Sequence, residues 1–529
     1  MSQILIIAWR ELSRLRKRFG RTASPFAVLA LLVVMGLSAF AIRNTILLGS
    51  GLYQIGVTGD VPPIHDSRFM VLQVSVEQGK TLLNQHSIDV LIDGTQVFSR
   101  ADNKSQYAIR ALKQYMEEEE LTRIENIYSE SEAFPLRVGI NYLSGSQAAG
   151  QEETIIPSLT PPPLPFAQVL VAMIYVLPIT FISIFFTSSF MDEKINRRLT
   201  VLLSAPVTPF QIILGKMLPY TIFSLSSIVL IALLTGGNVL LTMAIFLPTT
   251  LFLFAIYLMV PLFYRTFKDT TFIAMLVTTL TTAYLVAPAM FTDVNDISYI
   301  SPLTLAVKMY RNEPFGWREY LFPSLPMAAI FGFAMFAGTR LLNEEFLMGY
   351  KPITRKISDA IYLLMTHAKP TISVPLWSVL VIPIVYMAQI LFLAFASNLP
   401  FGMIVVVTLM ASALIEEIAK SIGIVVLAEH GVVKADRDIL LLSFLSALGF
   451  FVGEKLLVFL SINMVSQASI SSVLFGQGLF LLVPLIAHGI FTTIVTLLKT
   501  KGNLLYMAAL MVGTLVHFLY NWYLLGGLR

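Results

Sequence analysis

Long apolar runs separated by short charged segments occupy most of the chain. A membrane-spanning helix needs about 20 apolar residues, and about eleven runs reach that length. Six lie near 24–42, 166–190, 218–236, 239–264, 270–292 and 321–341. Five more lie near 375–397, 401–427, 439–465, 475–497 and 504–525. The pattern predicts an α-helical polytopic membrane protein, with six helices in residues 24–342 and five in 375–529.

A polar stretch, residues 43–165, interrupts the first group of helices. Strand-like runs such as "SIDVLIDGTQVF" alternate there with one helical segment, "SQYAIRALKQYMEEEELTRIENI". The stiff sequence "PSLTPPPLP" closes it. We therefore expect a small α+β domain, inserted after the first span on the extracytoplasmic side.

Basic residues indicate the orientation. Residues 1–23 alternate apolar and basic positions at helical spacing, which is typical of a helix lying on the membrane surface. Lys and Arg collect on the side where the even-numbered spans end, whereas the predicted outer turns near 237 and 398–400 carry none. By the positive-inside rule the N-terminus is cytoplasmic and the C-terminus lies outside.

Composition supports a membrane protein and excludes other classes. Hydrophobic residues make up 56% of the 529, and charged residues only 13%, whereas soluble domains carry roughly 25% charged residues. The net charge of +4 is explained by basic cytoplasmic loops, so we expect no nucleic-acid partner. The absence of cysteine excludes disulfides, thiolate metal sites and cysteine nucleophiles.

The segment 191–216, between the second and third predicted spans, begins charged, becomes apolar at helical spacing, and is broken by Pro206 and Pro209. It predicts a short cytoplasmic surface helix that offers charge to a partner, or else an ordinary amphipathic connector. A basic segment, 343–374, then links the two membrane domains.

The sequence "EKINRRLTVLLSAPVTPFQIILGK" resembles the cytoplasmic loop of ABC type-2 exporter permeases, including the sodium-efflux type. The basic N-terminal helix, the outer domain and "ISPLTLAVKMYRNEP" agree with this resemblance. It implies half of an exporter pore, so that a homodimer or heterodimer of permeases would work with a separate cytoplasmic ABC ATPase subunit. Glu193, Arg197 and Arg198 would then contact that ATPase.

ATP is expected to bind only to that separate subunit. The sequence "QGKT", Gln78 to Thr81, looks like the end of a phosphate loop. Such a loop needs a glycine five residues before its Gly-Lys pair, and Val74 occupies that position here. No cofactor is therefore predicted for this chain.

Ionisable residues interrupt the last predicted spans, although each costs at least ~2.5–3.5 kcal/mol at the bilayer centre. They are Glu416, Glu417, Lys420, Glu454, Lys455, His488 and His517, with Asn521 one turn after His517. Their predicted depths differ by roughly 9 Å at 1.5 Å per residue. We therefore expect one polar layer that faces the interior of the bundle.

Several functions use such a layer. Paired carboxylates in a dry bundle can take a proton from water while His and Asn donors stabilise an oxyanion, which would hydrolyse an amide. A proton relay uses the same residue types. Zinc bound by His488, His517 and Glu454 is a further alternative, although the H-E-x-x-H spacing is absent.

The motifs "EEIAK", "FFVGE", His488 and "HFLYN" resemble, in this order, those of PrsW-type intramembrane proteases and the related CAAX-protease group. The resemblance covers about 375–529. It implies that Glu416 activates water with help from Glu454 or a histidine, while Glu417 and Lys420 orient the site. It further implies that His517 and Asn521 form the oxyanion site.

Together these patterns predict an exporter permease fused to a glutamate-type intramembrane peptidase, in the cell membrane of a bacterium or archaeon. The peptidase would process an exported or lipidated peptide. The alternative is a transporter only, for sodium or a small molecule, in which the polar layer is an ion or proton site or a non-catalytic scaffold.

Overall fold

The computed structural model shows a chain built mainly of helices. The structure describes residues 2–19, 53–59, 64–66, 68–94, 96–100, 103–127, 154–156, 167–292, 296–310, 313–365, 368–396, 399, 401–465, 482–499 and 503–526. The chain divides into two compact units, one holding a sheet and the other holding the long helices.

The sheet unit is an α+β fold, as predicted. Its strands are β1 (Tyr53–Thr58), β2 (Phe69–Gln73), β3 (Val90–Asp93), β4 (Gln96–Arg100) and β5 (Thr154–Ile156), with helices α2 (Val76–Asn84) and α3 (Asn103–Ile127). The strand order is β2-β1-β3-β4-β5, parallel except for the β3–β4 hairpin. Ile55 and Val90 are fully buried in its core. Asp89 is buried between Arg100 and Lys104, each at 3.0 Å, so the carboxylate is fully compensated.

The first helices of the other unit are α1 (Ser2–Phe19), α4 (Ala167–Ile195), α5 (Arg198–Leu203), α6 (Pro209–Thr235), α7 (Val239–Phe263) and α8 (Phe267–Ala289). A 3₁₀ helix (Asp296–Ile300), α9 (Pro302–Tyr310) and α10 (Trp317–Leu341) follow. Helices α6, α7 and α10 pack against one another.

Helix α6 begins well before the predicted span 218–236. The Thr208 hydroxyl accepts a hydrogen bond from the backbone N–H of Gln211, and Pro209 occupies the first turn. These are strong helix-start features. The last eight residues of the segment 191–216, which was predicted to be a cytoplasmic loop, therefore belong to α6.

The remaining helices are α11 (Glu344–Met348), α12 (Ile353–Met365), α13 (Pro370–Leu380), α14 (Ile382–Ala396), α15 (Phe401–Glu429), α16 (Asp436–Val465), α17 (Leu482–Lys499) and α18 (Asn503–Gly526). The predicted span 375–397 is thus two helices. They meet at Val381, just before Pro383, because proline lacks a backbone N–H and disfavours helical geometry in the residue before it.

Among the described residues, eight helical segments are long and apolar enough to cross a membrane. They are Met173–Ile195, Pro209–Thr235, Val239–Phe263, Phe267–Ala289, Trp317–Leu341, Pro370–Ala396, Asp436–Leu456 and Leu505–Tyr523. The polytopic helical fold is confirmed. The predicted span 24–42 lies outside the described residues, and the total of about eleven spans stays a prediction.

The N-terminal helix α1 packs against α6 through a buried charge network. Glu11 accepts hydrogen bonds from Lys216 and Tyr220, both at 2.9 Å, and from Ser189. Lys216 also pairs with Glu193 at 2.8 Å. Burial raises the pKa of Glu11, but Lys216 and the hydroxyl donors lower that pKa by more, so the carboxylate stays charged.

Replacing Lys216 by methionine should destabilise this part of the chain by about 3–5 kcal/mol, because two buried carboxylates lose their shared cation. The unfolding midpoint of the purified protein in detergent measures this loss. Lys268→Met, which removes an exposed lysine of α8, is the matched control and should change little. Equal midpoints for the two variants would contradict the expected role of Lys216.

Candidate active site

Four helices of the C-terminal part bring the predicted polar residues together. Helix α15 carries Glu416, Glu417 and Lys420, and it contacts α16, α17 and α18. Helix α16 lies close to α13, since a Cβ atom on Gly449 would clash with the carbonyl oxygen of Pro375. Glycine at this position allows the close packing of the helix that carries Glu454.

Lys420 lies at the centre of the site and is fully buried. Its ammonium donates to Oε1 of Glu417 at 2.6 Å and to Nδ1 of His488 at 2.9 Å. It also lies 5.2 Å from the centre of the Phe450 ring, which favours a cation. Lys420 therefore connects α15 to α16 and α17.

Glu417 is buried with Lys420 and orients a histidine. Its Oε1 accepts a hydrogen bond from Nδ1 of His517 at 2.9 Å. His517 is also held by the Phe491 ring, whose centre is 5.3 Å from that of the imidazole. Nδ1 of His517 thus carries a hydrogen, and Nε2 is left with a lone pair when the ring is neutral.

Glu416 lies beside this pair and is slightly more exposed. Its Oε2 is 3.7 Å from Nε2 of His517. Its Oε1 accepts hydrogen bonds from Gln389 at 3.0 Å and from Ser412 at 3.3 Å. One carboxylate oxygen is therefore fixed by neutral donors, and the other faces the histidine.

Glu454 lies at the outer edge of the cluster, with 31% of its side chain exposed. Its Oε2 is 3.6 Å from Nε2 of His488, and its Oε1 accepts a hydrogen bond from Lys455 at 3.1 Å. Lys455 is thus paired with its neighbour in the chain.

Asn521 lies one turn after His517 on α18 and is half-buried. Among the described residues, no carboxylate or histidine of the cluster lies within hydrogen-bond distance of its amide. Its role in an oxyanion site stays a prediction.

The sequence reasoning missed Gln389 and Ser412. Gln389 is the only amide side chain in the apolar run "VIPIVYMAQILFLAF", and a polar residue in a membrane helix usually has a partner. Ser412 lies one turn before Glu416 on the same helix. Both positions can be recognised in the sequence, but both residues are uncharged, and the site was predicted from ionisable side chains.

The three residues predicted to contact an ATPase differ in their exposure to solvent. Glu193 is 2% exposed and pairs with Arg14 and Lys216, so its carboxylate faces α1 rather than solvent. Arg197 and Arg198 are exposed at the start of α5, and Arg197 has a left-handed backbone, φ 55°. The two arginines are thus free to contact a partner, and Glu193 is not.

Apolar spanning helices and a buried polar cluster in the C-terminal part define a multi-pass membrane protein. The ABC-2 family transporter protein model matches residues 69–341, more than half of the chain, and the chain belongs to this family. The model of the PrsW family intramembrane metalloprotease matches residues 370–527. Both resemblances drawn from the sequence are confirmed, in their predicted order. Neither a curated protein nor a solved structure matches the chain.

The second family name implies a metal, and the donor types suit one. A carboxylate oxygen of Glu416 and one ring nitrogen of each of His488 and His517 lie within 4.8 Å of one another. Two imidazoles and a carboxylate form a known zinc ligand set. The structure thus adds Glu416 to the histidines, where the sequence suggested Glu454.

The hydrogen bond from Lys420 opposes this assignment. An ammonium can only donate, so Nδ1 of His488 accepts, and the hydrogen of the neutral ring lies on Nε2. Nε2 is the nitrogen nearest Glu454. His488 then has no lone pair for a metal on that side. In this hydrogen-bonding arrangement, Nε2 of His488 is not available as a metal ligand.

Proposed function

We propose that the chain is the permease subunit of an ATP-driven exporter whose C-terminal domain cleaves a peptide bond within the membrane. The observation that carries the peptidase proposal is the convergence of Glu416, Glu417, His488 and His517 around the buried Lys420. Ionisable groups that converge in an otherwise apolar bundle are costly, and they mark functional sites.

Water would bind between Glu416 and the two histidines. Three groups that each bond one water molecule at about 2.8 Å lie about 4.6 Å apart. The separations within this cluster, up to 4.8 Å, suit such a water. Glu416 would take one proton as the water oxygen attacks the scissile carbonyl carbon.

The remaining groups would act on the tetrahedral intermediate. Nε2–H of His488 is the donor suited to the oxyanion, and Asn521 is a second candidate. The proton taken by Glu416 would pass to the leaving amine nitrogen as the C–N bond breaks. Glu417 would keep His517 oriented through Nδ1, much as a carboxylate orients the histidine of a hydrolytic triad.

The exporter half of the proposal rests on the ABC-2 family and on α5. Exposed Arg197 and Arg198 present charge where a separate cytoplasmic ATPase subunit would dock. We infer a dimer of permeases, either homodimer or heterodimer, in the cell membrane with the N-terminus in the cytoplasm. The peptidase would then process the peptide that the exporter moves.

A transporter without peptidase activity is the second candidate, because the cluster of Glu416 and the two histidines could hold a cation or relay protons. Cation uptake by vesicles containing Glu416→Gln or Glu454→Gln chains separates the two functions. Loss of uptake without any cleavage by the wild type would favour the transporter.

Peptide cleavage should resist metal chelation, because the proposed mechanism uses only side chains. The test incubates isolated membranes with and without the overproduced chain and quantifies new peptide termini within apolar segments by mass spectrometry. Termini should accumulate only with the chain, at equal rates with and without a zinc chelator. Loss of activity that zinc restores would assign a metal mechanism instead, and no new termini would remove the peptidase proposal.

A further inference from the structure

Three cations meet where two spanning helices end. Lys194, near the end of α4, donates to the backbone carbonyls of Pro261 at 2.7 Å and Tyr264 at 2.8 Å, at the end of α7. Arg265 is the next residue in the chain. Lys356 of α12 reaches this place through the Phe346 ring, because its ammonium lies 5.1 Å from the ring centre and the ring itself packs against Phe263 at the end of α7.

Aromatic contacts hold the two sides of this cluster together. The rings of Phe263 and Phe346 meet edge to face, with centres 5.7 Å apart. The guanidinium of Arg265 lies 5.4 Å from the ring centre of Tyr350, which follows α11. The end of α7 and the segment leading into α12 therefore form one surface.

These cations lack a negative partner. Within the described part of the chain, no carboxylate forms an ion pair with Lys194, Arg265 or Lys356. Lys356 is only 4% exposed, and its sole described partner is a ring. Burial lowers the pKa of Lys356, and Arg265 lowers it further, which shows the cost of leaving this charge without an anion.

The location indicates what kind of anion would bind. The spans Met173–Ile195 and Val239–Phe263 both end here, so the cluster lies at the level where lipid headgroups begin. Ile353 and Ile357 of α12 are 39% and 44% exposed beside Lys356. Exposed isoleucines next to a buried lysine suit a ligand with both an anionic head and acyl chains.

We propose that Lys194, Arg265 and Lys356 form a binding site for the phosphate of an anionic phospholipid. The lipid joins the ends of α4 and α7 to α12, the helix that precedes the second membrane domain. Lys194 contributes positive charge to the site. Its ammonium donates hydrogen bonds to backbone carbonyls at the end of α7, so it stabilises that helix end and does not contact the phosphate directly. Arg265 and Lys356 contact the phosphate. The site is independent of the peptidase.

The test reconstitutes the whole chain in vesicles of phosphatidylcholine and phosphatidylglycerol, extracts it with mild detergent, and measures the retained lipids by native mass spectrometry. Wild type should retain phosphatidylglycerol in preference to phosphatidylcholine. Lys356→Gln and Arg265→Gln should each lower this retention by about five- to tenfold, the loss of one cation near a headgroup. Lys356→Arg, which keeps the charge, should restore most of it.

Arg355→Gln is the matched control, because Arg355 is the exposed neighbour of Lys356 and the substitution removes the same charge. It should leave retention unchanged, and the unfolding midpoint of each variant shows that the chain is folded. Equal losses for Arg355→Gln and Lys356→Gln, or equal retention of both lipids, would overturn the proposal. Displacement of the lipid by millimolar inorganic phosphate would assign a soluble anion instead and would overturn it too.

Discussion

Replacing Glu416 by glutamine should lower the rate of peptide cleavage by about 10²–10⁴-fold, the contribution of a general base. Glutamine has the same shape and still accepts the hydrogen bond that Gln389 donates to Oε1. It cannot take a proton from water. Folding should be preserved or improved, because the substitution removes a buried charge whose contacts from Gln389 and Ser412 are neutral.

Cleavage by wild-type and Glu416→Gln chains can be compared in vesicles by the appearance of peptide termini. Glu429→Gln provides the matched control, because Glu429 is on the same helix but exposed at its end. It should retain the wild-type rate, and all three chains should bind the ATPase subunit equally. Equal cleavage by Glu416→Gln and wild type would remove the proposed role of Glu416.

Much of the helical fold could be predicted from hydrophobic length, since a bilayer forces each crossing into a helix of about 20 residues. The residues at which the helices begin and end were predicted less well. Helix α6 starts at Pro209 through a cap that uses Thr208 and Gln211, and the apolar run does not reveal this cap. Similarly, Pro383 divides one predicted span into α13 and α14. Local backbone chemistry, rather than hydropathy, sets these boundaries.

The convergence of the polar layer could be predicted because buried charges need partners. Which of these side chains pair with one another could not be predicted from the sequence. Sequence spacing allows both Glu416 and Glu417 to contact Lys420. In the structure, Lys420 donates its hydrogen bond to Glu417, and Glu416 accepts hydrogen bonds from neutral donors. The difference depends on the rotation of α15 against α14 and α17. That rotation is a property of packing, not of spacing.

The same pairing distinguishes two kinds of carboxylate in one motif. The charge of Glu417 is compensated by the ammonium of Lys420, and its carboxylate also contacts His517, so Glu417 is suited to fixing the positions of these two side chains. Glu416 has no cation in hydrogen-bond contact among the described residues and is the better candidate for exchanging protons. Two adjacent glutamates thereby acquire different roles, and Lys420 determines which one is the structural residue.

Replacing Lys420 by methionine should lower the free energy of unfolding by about 3–5 kcal/mol, because Glu417 is left as a buried charge. Nδ1 of His488 also loses its donor. The double variant Lys420→Met/Glu417→Gln removes the uncompensated charge and should recover most of that stability. It should not recover cleavage, since His517 then lacks its orienting carboxylate. Unfolding midpoints and cleavage rates of both variants test this separation.

Lys455→Met is the control for stability, because Lys455 pairs with Glu454 while 34% of its side chain is exposed. Such a pair contributes about 0–1 kcal/mol, so this variant should unfold close to wild type. If the double variant were as unstable as Lys420→Met alone, the loss would come from packing around the lysine stem and not from charge. If the double variant cleaved at the wild-type rate, the Glu417–His517 contact would have no part in catalysis.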